Sequence, residues 1–293
     1  MEFSISPELE GSKVDTILKK RLGLSGTVVR RIKWWPDGIL LDGQRVQTDA
    51  RPQVGQLLSV RLDDLERRSG IVPAPGPLDL VYEDEDLIVV NKAPGVPVHP
   101  GPGHYNDTLG NFLLWHYDLE GDSADFHPVH RLDRGTSGLL VAAKHPHAQE
   151  ILKRQLHTEG FRRTYLAVCE GSPEPPSGLI SAPLGPKDGS LVKQMVRPDG
   201  KPARTRYRVL SAHSGRSLLR LELDTGRTHQ IRVHMAYLGH PLTGDFLYGR
   251  EDRTLISRPA LHSAELSFLH PLTGRLLSFS RPMPGDMAAL LSD

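Results

Sequence analysis

Apolar residues in the first part of the chain repeat with helical spacing. The first stripe predicts an amphipathic helix that ends at Gly23, and it consists of Val14, Ile17, Leu18 and Leu22. Ser25 is a favourable N-cap for a second helix, whose apolar side contains Val28, Val29 and Ile32. A strand at 38–41, a tight turn at Asp42–Gly43 and a strand at 56–60 follow. We therefore predict a small domain over residues 1–66, made of a helical hairpin and short strands.

The rest of the chain alternates between apolar runs typical of buried strands and stretches with helical spacing. The predicted strands are 87–90, 139–143, 162–170, 203–211, 218–223, 261–268 and 276–279. The predicted helices are 107–117, a segment that begins at His145–Pro146, and a segment that Thr228 caps and Gly239 ends. Residues 172–202 contain many Pro and Gly residues and are predicted to be loop-rich. Residues 67–77 form a predicted linker, and 78–293 form a second domain of mixed strands and helices.

Composition narrows the class of protein. Of the 293 residues, 38% are hydrophobic and 24% are charged, as in ordinary globular proteins. The single cysteine, Cys169, excludes an intramolecular disulfide and a cysteine-rich zinc site, which is typical of a reducing compartment. No apolar run approaches the roughly 20 residues that span a membrane, and the N-terminal residues do not resemble a signal peptide. We expect a cytoplasmic protein with no membrane segment.

The net charge of +1 conceals separated blocks of opposite sign. Residues 11–61 hold ten Lys/Arg against four Asp/Glu, and residues 187–234 hold eleven against four. Residues 62–129 hold three Lys/Arg against thirteen Asp/Glu. Separated positive blocks are typical of proteins that bind polyanions such as nucleic acids, although long basic side chains can also simply cover solvated faces.

The segment HPVHRLDRGTSGLLVAAK, residues 127–144, combines charged residues, a turn and an apolar strand. Asp133 lies between Arg131 and Arg134, and small turn residues lead into the strand. A charged loop joined to a buried strand is a common place for binding and catalytic side chains. Taken alone, the same residues are more typical of an aspartate that pairs weakly with neighbouring arginines on a solvated turn.

This segment resembles the signature of RluA-type pseudouridine synthases, in which the HRLD sequence carries the catalytic aspartate. Three more segments resemble family motifs in the family's order. They are EDEDLIVVNKAPGVPVHPG at 83–101, FRRTYLAVCEG at 161–171 and LDTGRTHQIRVHMAYLGHPLTGDFLYG at 223–249. Four motifs in the correct order are far more specific than one. The resemblance implies an α+β fold in which a mixed, mainly antiparallel sheet is flanked by helices.

The family's reaction converts uridine within RNA to pseudouridine, without redox change and without water in the product. The resemblance therefore implies no cofactor. It also implies that Asp133 is the catalytic carboxylate, that Arg232 pairs with it and that Tyr165 stacks on the base. Arginine suits such pairing because it stays charged and can hold a carboxylate with two hydrogen bonds.

We expect RNA, ribosomal or transfer, to be the partner, with no protein partner required. Arg131, Arg134, Arg227 and His229 are the predicted RNA contacts near the site. The segment at 11–62 resembles the small RNA-binding domain known as the S-four domain, and this resemblance implies further RNA contacts through three residues of the second helix. These are Arg30, Arg31 and Lys33. A helical hairpin used for dimerisation is the alternative reading of this segment.

Two rival functions stay open at this point. One is an RNA-binding or ribosome-assembly factor with the same fold and no turnover. The other is a hydrolase of a nucleoside bond, which would usually need two carboxylates, and Asp125 is the nearby candidate for the second. No metal site is expected, since the close histidine pairs lack the spacing of metal-ligand motifs. The alternating Arg204, Arg206 and Arg208 fit either a phosphate backbone or a solvated sheet face.

Overall fold

The computed structural model describes residues 1–62, 67–156 and 158–292. Residues 1–62, the N-terminal unit, fold around two short helices and a four-stranded sheet. Its elements are β1 (Glu2–Ser4), α1 (Val14–Lys20), α2 (Gly26–Ile32), β2 (Ile39–Leu41), β3 (Gln44–Arg45) and β4 (Leu57–Val60). The strands lie in the order β1–β4–β2–β3.

The sequence signals account for this unit. Ser25 caps α2 as predicted, since its side chain accepts a hydrogen bond from the backbone N–H of Val28. Asp42 and Gly43 both have positive φ, as a tight hairpin turn between β2 and β3 requires. The apolar stripes of α1 and α2 pack with Ile39, Leu58 and Val60 of the sheet in one buried core. The predicted helices and strands of this unit are confirmed.

Residues 67–292, the main unit, contain a large sheet with helices on both faces. Its elements are β5 (Leu80–Glu83), β6 (Leu87–Lys92), α3 (Leu109–Leu119), β7 (His127–Pro128), β8 (Ser137–Ala143), α4 (Pro146–Gln155), β9 (Phe161–Glu170), β10 (Ser177–Ser181), β11 (Leu184–Pro186), β12 (Gln194–Val196), β13 (Arg204–His213), β14 (Arg216–Leu223), α5 (Gln230–Tyr237), β15 (Leu261–Leu269), β16 (Leu276–Ser280) and α6 (Gly285–Ala288). The mixture of strands and helices confirms the predicted α+β class.

The large sheet runs in the order β10–β13–β14–β9–β15–β8–β6–β5, and β16 and β7 pair with β15 and β8. Among the described strands of this sheet every pairing is antiparallel except that of β8 with β15. At that parallel contact Gly138 has φ +109°, and a Cβ atom there would lie 2.3 Å from the backbone oxygen of Ser263. Glycine is therefore required where the two strands meet.

Buried apolar residues cover the two faces of the sheet. On one face α3 and α5 pack against β6, β8, β9 and β14. On the other face α4 packs against β6, β8 and β15 through Ala148 and Leu152. Leu272, in the turn between β15 and β16, also contacts the core of the N-terminal unit. The face that carries α5 is the one on which the site is built.

Two connecting segments contain more structure than was predicted. Residues 172–202 are loop-rich, as predicted, and they also contain three short strands that were not predicted, β10, β11 and β12. Residues 67–77 are not loosely attached. Arg67 Nη1 lies 2.7 Å from Asp118 Oδ1, and Ser69 donates backbone and side-chain hydrogen bonds to Asp125. The predicted boundary at 66 falls at residues 63–66, outside the described residues, so the division into two domains stays a prediction.

Candidate active site

The loop that joins β7 to β8 carries Asp133, and neighbouring segments hold its backbone on both sides. Lys92, at the end of β6, is buried and donates from Nζ to the carbonyl oxygens of Ala93, Val96 and Arg134. The backbone N–H of Gly95 donates to the same Arg134 oxygen at 2.8 Å. Burial lowers the pKa of Lys92 to about 7. The loop is thus fixed through its carbonyl groups, which leaves the Asp133 side chain directed at the site.

A second cation supports the loop from its other side. Arg258 donates from Nη1 to the carbonyl oxygens of Gly135 and Leu261, both at 3.2 Å. Its Nε and Nη2 bind the two carboxylate oxygens of Asp286 at 2.7 and 2.8 Å. Arg258 therefore connects the Asp133 loop to the start of β15 and to α6.

Arg232 on α5 reaches Asp133, as the resemblance implies, but its stronger partner is another carboxylate. Arg232 Nη1 lies 3.4 Å from Asp133 Oδ2. Its Nε and Nη2 donate to both oxygens of Asp245 at 2.7 and 2.8 Å. Arg232 and Asp245 are both buried, whereas 27% of the Asp133 side chain is exposed. Asp245 therefore anchors the guanidinium, and one nitrogen is left for Asp133.

Tyr165, on β9, lies in the same narrow slot as Asp133 and Arg232. The slot holds about 50 Å³ and is bounded by apolar side chains that include Leu132 and Ile231. Tyr165 is buried, and this burial raises the pKa of its phenol. The structure therefore brings together the three residues that the sequence assigned to catalysis.

His229 occupies the entrance to α5 in an unusual backbone conformation. It has φ +55° and is the N-cap of α5, so the prediction that Thr228 caps this helix was wrong. Tyr248 Oη accepts a hydrogen bond from the backbone N–H of Gln194 and lies 2.8 Å from His229 Nδ1, within hydrogen-bond distance. The other ring nitrogen of His229, Nε2, lies 3.9 Å from Asp133 Oδ2.

Two larger cavities flank the slot, and Asp133 and Arg131 line both. The first, which we call the basic bay, holds about 490 Å³ between α4 and the start of β9. The second holds about 860 Å³, and its lining includes several prolines, Val192 and Phe246 together with Arg134 and Arg232. Three connected spaces around one carboxylate can accept a nucleotide and its neighbours in a strand.

The predicted RNA contacts fall into two groups. Arg131, Arg134, Arg227 and His229 line the slot or the cavities beside it. The other three, on or next to α2, line none of these spaces, and they are Arg30, Arg31 and Lys33. In the N-terminal unit Arg31 lies 5.3 Å from the ring centre of Trp35, and Lys33 lies 4.9 Å from that of Trp34.

Other candidate residues have structural surroundings. Asp125 is buried and accepts hydrogen bonds from Arg68, Ser69 and Phe126, so it is not placed as a second carboxylate beside Asp133. Arg204 and Arg206 both pair with Asp224 on an exposed sheet face, which favours the solvated reading of that strand.

One group of residues in the described part of the chain brings possible metal ligands together, namely Asp84, Asp86 and His270, whose ligand atoms lie within 4.8 Å. His270 Nδ1 accepts two backbone hydrogen bonds, so its Nε2 carries a proton and donates to Asp84 at 3.0 Å. Asp84 also accepts from Tyr82 at 2.5 Å. These contacts make a hydrogen-bonded support for the turn before β6.

Sequence reasoning did not single out Asp245, Lys92, Arg258 or Tyr248. Asp245 and Tyr248 lie inside the motif at 223–249, and Lys92 lies inside the motif at 83–101. Lys92 lies at the end of an apolar strand, where a lysine side chain must either be buried or point away from the sheet. This position was the available signal in the sequence. No comparable signal marks Arg258.

Comparison with known proteins identifies the family of the chain. A family model described as RNA pseudouridylate synthase matches residues 86–237. The uncharacterized RNA pseudouridine synthase YjbO of Bacillus subtilis is 40% identical over 270 residues, covering 92% of this chain and 95% of that protein. Ribosomal large subunit pseudouridine synthase D of Nitrosomonas europaea is 44% identical over 301 residues, covering 99% and 87%.

Solved structures give the same result for the fold. Human RNA pseudouridylate synthase domain containing 1 superposes with a TM-score of 0.58 at 28% identity, over 71% of this chain and 85% of that one. Among the helices in the described part of the chain, none is both long and apolar enough to cross a membrane. The chain belongs to the RNA pseudouridylate synthase family, the enzymes that isomerise uridine to pseudouridine within RNA.

Proposed function

We propose that this enzyme isomerises uridine in the RNA of the large ribosomal subunit and that Asp133 is its catalytic carboxylate. One observation carries the assignment of Asp133. Among the described residues that line the slot and the basic bay, Asp133 is the only one with a carboxyl group. It is also partly exposed and within reach of a buried arginine. A substrate that enters the slot must therefore meet this carboxylate.

The reaction needs little more than a well-placed carboxylate. The bond from uracil N1 to ribose C1′ breaks, the uracil turns, and its C5 forms a bond to C1′. The proton lost from C5 is balanced by a proton gained at N1, so no atom enters or leaves the RNA. Asp133 is placed to act at the ribose and at the base while the uracil is detached. Contacts in the narrow slot keep the freed uracil beside the ribose, which favours isomerisation over hydrolysis.

Arg232 keeps Asp133 in position without holding it tightly. Its two strongest hydrogen bonds go to Asp245, so its Nη1 offers Asp133 a single contact of 3.4 Å. An arginine fixed in this way supplies positive charge beside the carboxylate and needs no rearrangement during the reaction.

Tyr165 and Arg131 act on the nucleotide around the uridine. The ring of Tyr165 stacks on the uracil and replaces part of the stacking that is lost when the nucleotide leaves its helix. Arg131 borders all three spaces and supports the displaced nucleotide. Arg134, Arg227 and His229 contribute further contacts at the rim of the site.

The choice of ribosomal RNA is supported by relatives named ribosomal large subunit pseudouridine synthase D, of which the Nitrosomonas europaea protein is 44% identical. Such a substrate places the enzyme's action in the cytoplasm. We further propose that residues 1–66 form a separate RNA-binding domain. Its second helix presents Arg30 and Lys33, and Trp34 beside them is 70% exposed. Basic and aromatic side chains together suit RNA strands.

The test is pseudouridine mapping of cellular RNA by carbodiimide-stop sequencing, with the gene deleted and then restored. We expect one or a few sites in large-subunit ribosomal RNA to disappear on deletion and to return with the unmutated gene. Asp133→Asn and Asp133→Ala should restore none of them. Asp188→Asn, which removes an exposed carboxylate, is the control and should restore all of them.

Purified protein then separates the rival functions. The Asp133 variants should bind the substrate RNA within about threefold of the unmutated enzyme, because affinity comes mainly from phosphate contacts. Turnover by either variant would refute the role of Asp133. Release of free uracil would indicate a hydrolase. A protein that binds the RNA without forming pseudouridine in it would be the RNA-binding factor. A lost site in transfer RNA alone would refute the ribosomal substrate.

A further inference from the structure

The basic bay beside the slot has features that the proposed reaction does not explain. Its walls come from α4, from the start of β9 and from the loop before α5. It shares Asp133 and Tyr165 with the slot, so the two spaces adjoin. Its remaining polar lining includes Lys153 and Arg163, which have no part in the catalytic scheme.

The charges around the bay are strongly one-sided. Four cations line it, and they are Arg131, Lys153, Arg163 and Arg227. Among its described lining residues the single carboxyl group is that of Asp133. The pKa values of two nearby histidines are lowered by burial and by this positive charge. Burial, and then the charges of Arg131 and Lys153, lower the pKa of His99. Burial, and then the charge of Arg163, lower the pKa of His130 to about 3.

Arg163 is the most unusual of these cations. Only 7% of it is exposed, and its buried Nε has no hydrogen-bond partner among the described residues. A buried guanidinium nitrogen without an acceptor is costly, and such groups normally bind a partner. Gly226 lies next to it, since a Cβ atom there would be 3.4 Å from Arg163 Nη1. The loop before α5 therefore passes close to the guanidinium, and the glycine adds no side chain there.

Lys153 lines the same bay from α4. It lies in the last turn of that helix with its side chain partly exposed, and no residue in the described part of the chain accepts a hydrogen bond from it. Its pKa is lowered by burial alone, with no carboxylate opposing the effect. Arg227 binds the carbonyl oxygen of Pro202 through Nε, and the bay is lined by the rest of its side chain. Donors on both walls therefore lack acceptors.

We propose that the basic bay binds a backbone phosphate adjacent to the target uridine, with Arg163 and Lys153 as its contacts. This inference rests on the proposed function, since it takes the uridine to enter the slot beside Asp133. A phosphate supplies several acceptor oxygens and a full negative charge, which matches a guanidinium on one wall and an ammonium on the other. It fixes the register of the strand, so that one nucleotide is presented to the slot.

The first test measures binding without relying on turnover. The dissociation constant of a single-stranded oligouridylate of 12 nucleotides is measured at 50 and 200 mM salt. The logarithm of the association constant decreases linearly with the logarithm of the salt concentration. For each phosphate contact that is lost on a single strand, this slope should become less steep by about 0.7. At 50 mM salt the dissociation constant of Lys153→Gln should therefore exceed that of the unmutated enzyme. The ratio of the two constants should be about 2.6-fold smaller at 200 mM salt. Arg154→Gln, one residue further along α4, is the matched control and should keep the full slope.

Arg163 needs two variants because it is buried. Arg163→Gln removes the charge, and Arg163→Lys keeps the charge but removes the planar fork. Thermal unfolding identifies a variant that fails to fold, and in that case Lys153→Gln still decides the question. We expect Arg163→Lys to keep most of the salt slope but to bind the oligouridylate less tightly. Unchanged slopes in Lys153→Gln and in a folded Arg163→Gln would overturn the proposal.

The second test locates the phosphate in the mapped substrate. A methylphosphonate, which is uncharged, replaces each phosphate near the target uridine in turn. At one position the methylphosphonate should weaken binding to the unmutated enzyme but should not weaken binding to Lys153→Gln any further. If the salt slopes change but no RNA is isomerised, the proposed function fails and the anion-binding bay remains. If pseudouridine forms normally and no phosphate position couples to Lys153 or Arg163, the bay proposal fails alone.

Discussion

Replacing Asp245 by asparagine removes the carboxylate that anchors Arg232 and keeps the shape of the side chain. Asp245 is fully buried and accepts from Arg232 at 2.7 and 2.8 Å, and from the backbone N–H of Leu247 at 3.0 Å. An asparagine presents an NH₂ group where one of these acceptors stood. Removing one partner of a buried ion pair costs about 3–5 kcal/mol. We expect the free energy of unfolding to fall by about 3 kcal/mol, since the asparagine oxygen keeps part of the contact.

The same substitution changes the charge balance at Asp133. Without its anchor, Arg232 has Asp133 as the nearest carboxylate, at 3.4 Å in the unmutated enzyme. We expect the guanidinium to turn toward Asp133 and to hold it in two hydrogen bonds. A carboxylate that is held in this way is less available to the ribose and the base. The kcat should therefore fall by about tenfold or more, equivalent to about 1.4 kcal/mol, and KM should change less.

Urea unfolding and steady-state pseudouridine formation measure the two effects. Asp286→Asn is the matched control, because Asp286 binds Arg258 with the same two-bond geometry at 2.7 and 2.8 Å. The Asp286 side chain is 42% exposed, so we expect a smaller loss of about 1 kcal/mol. Equal losses of stability in the two variants, together with an unchanged kcat in Asp245→Asn, would refute the reasoning.

Three further substitutions test the framework around the site. Gly138→Ala places a Cβ atom 2.3 Å from a backbone oxygen of β15, so we expect a loss above about 3 kcal/mol in urea unfolding, while Gly101→Ala, with open space around it, should be nearly neutral. Lys92 has its pKa lowered to about 7, so between pH 7 and its unfolded value of about 10.4 only the unfolded chain binds the proton. The difference in unfolding free energy between the enzyme and Lys92→Met should therefore rise with pH across that interval, by at most about 1.4 kcal/mol per pH unit. A difference that does not change with pH would contradict this. Ser69→Ala removes a donor to the buried Asp125 and should cost about 1–3 kcal/mol, whereas an unchanged midpoint would show that 67–77 is loosely attached.

The elements that could be predicted are those whose sequence pattern reflects burial directly. The run before Lys92 and the run at 139–143 are apolar on both faces, and both are strands covered by helices on each side. Ser25 was recognised because capping is local chemistry between neighbouring residues. The short strands β10, β11 and β12 were missed because they lie at the edge of the fold among Pro and Gly residues, where little is buried.

The site was predictable only in part, for a related reason. Asp133, Tyr165 and Arg232 were identified from motifs in three separate segments. Their mutual distances depend on the parallel contact of β8 with β15, which joins residues about 125 positions apart, and no local pattern announces such a pairing. The N-cap at His229 was missed because Thr228 has the better capping chemistry, whereas the backbone at His229 is held by the contact of its ring with Tyr248.

The pairing of the buried arginines explains why Asp133, the proposed catalytic carboxylate, is left with a weak partner. Arg232 and Arg258 both lie next to the Asp133 loop, and each binds a different aspartate with two short hydrogen bonds. Had either guanidinium bound Asp133 in that way, its oxygens would be occupied and substrate would have to displace a strong ion pair. Two additional aspartates satisfy the arginines instead, so their charge stabilises the site while Asp133 keeps an open side. The loop is therefore held through its backbone carbonyl groups, and the Asp133 carboxylate is left free for the proposed chemistry.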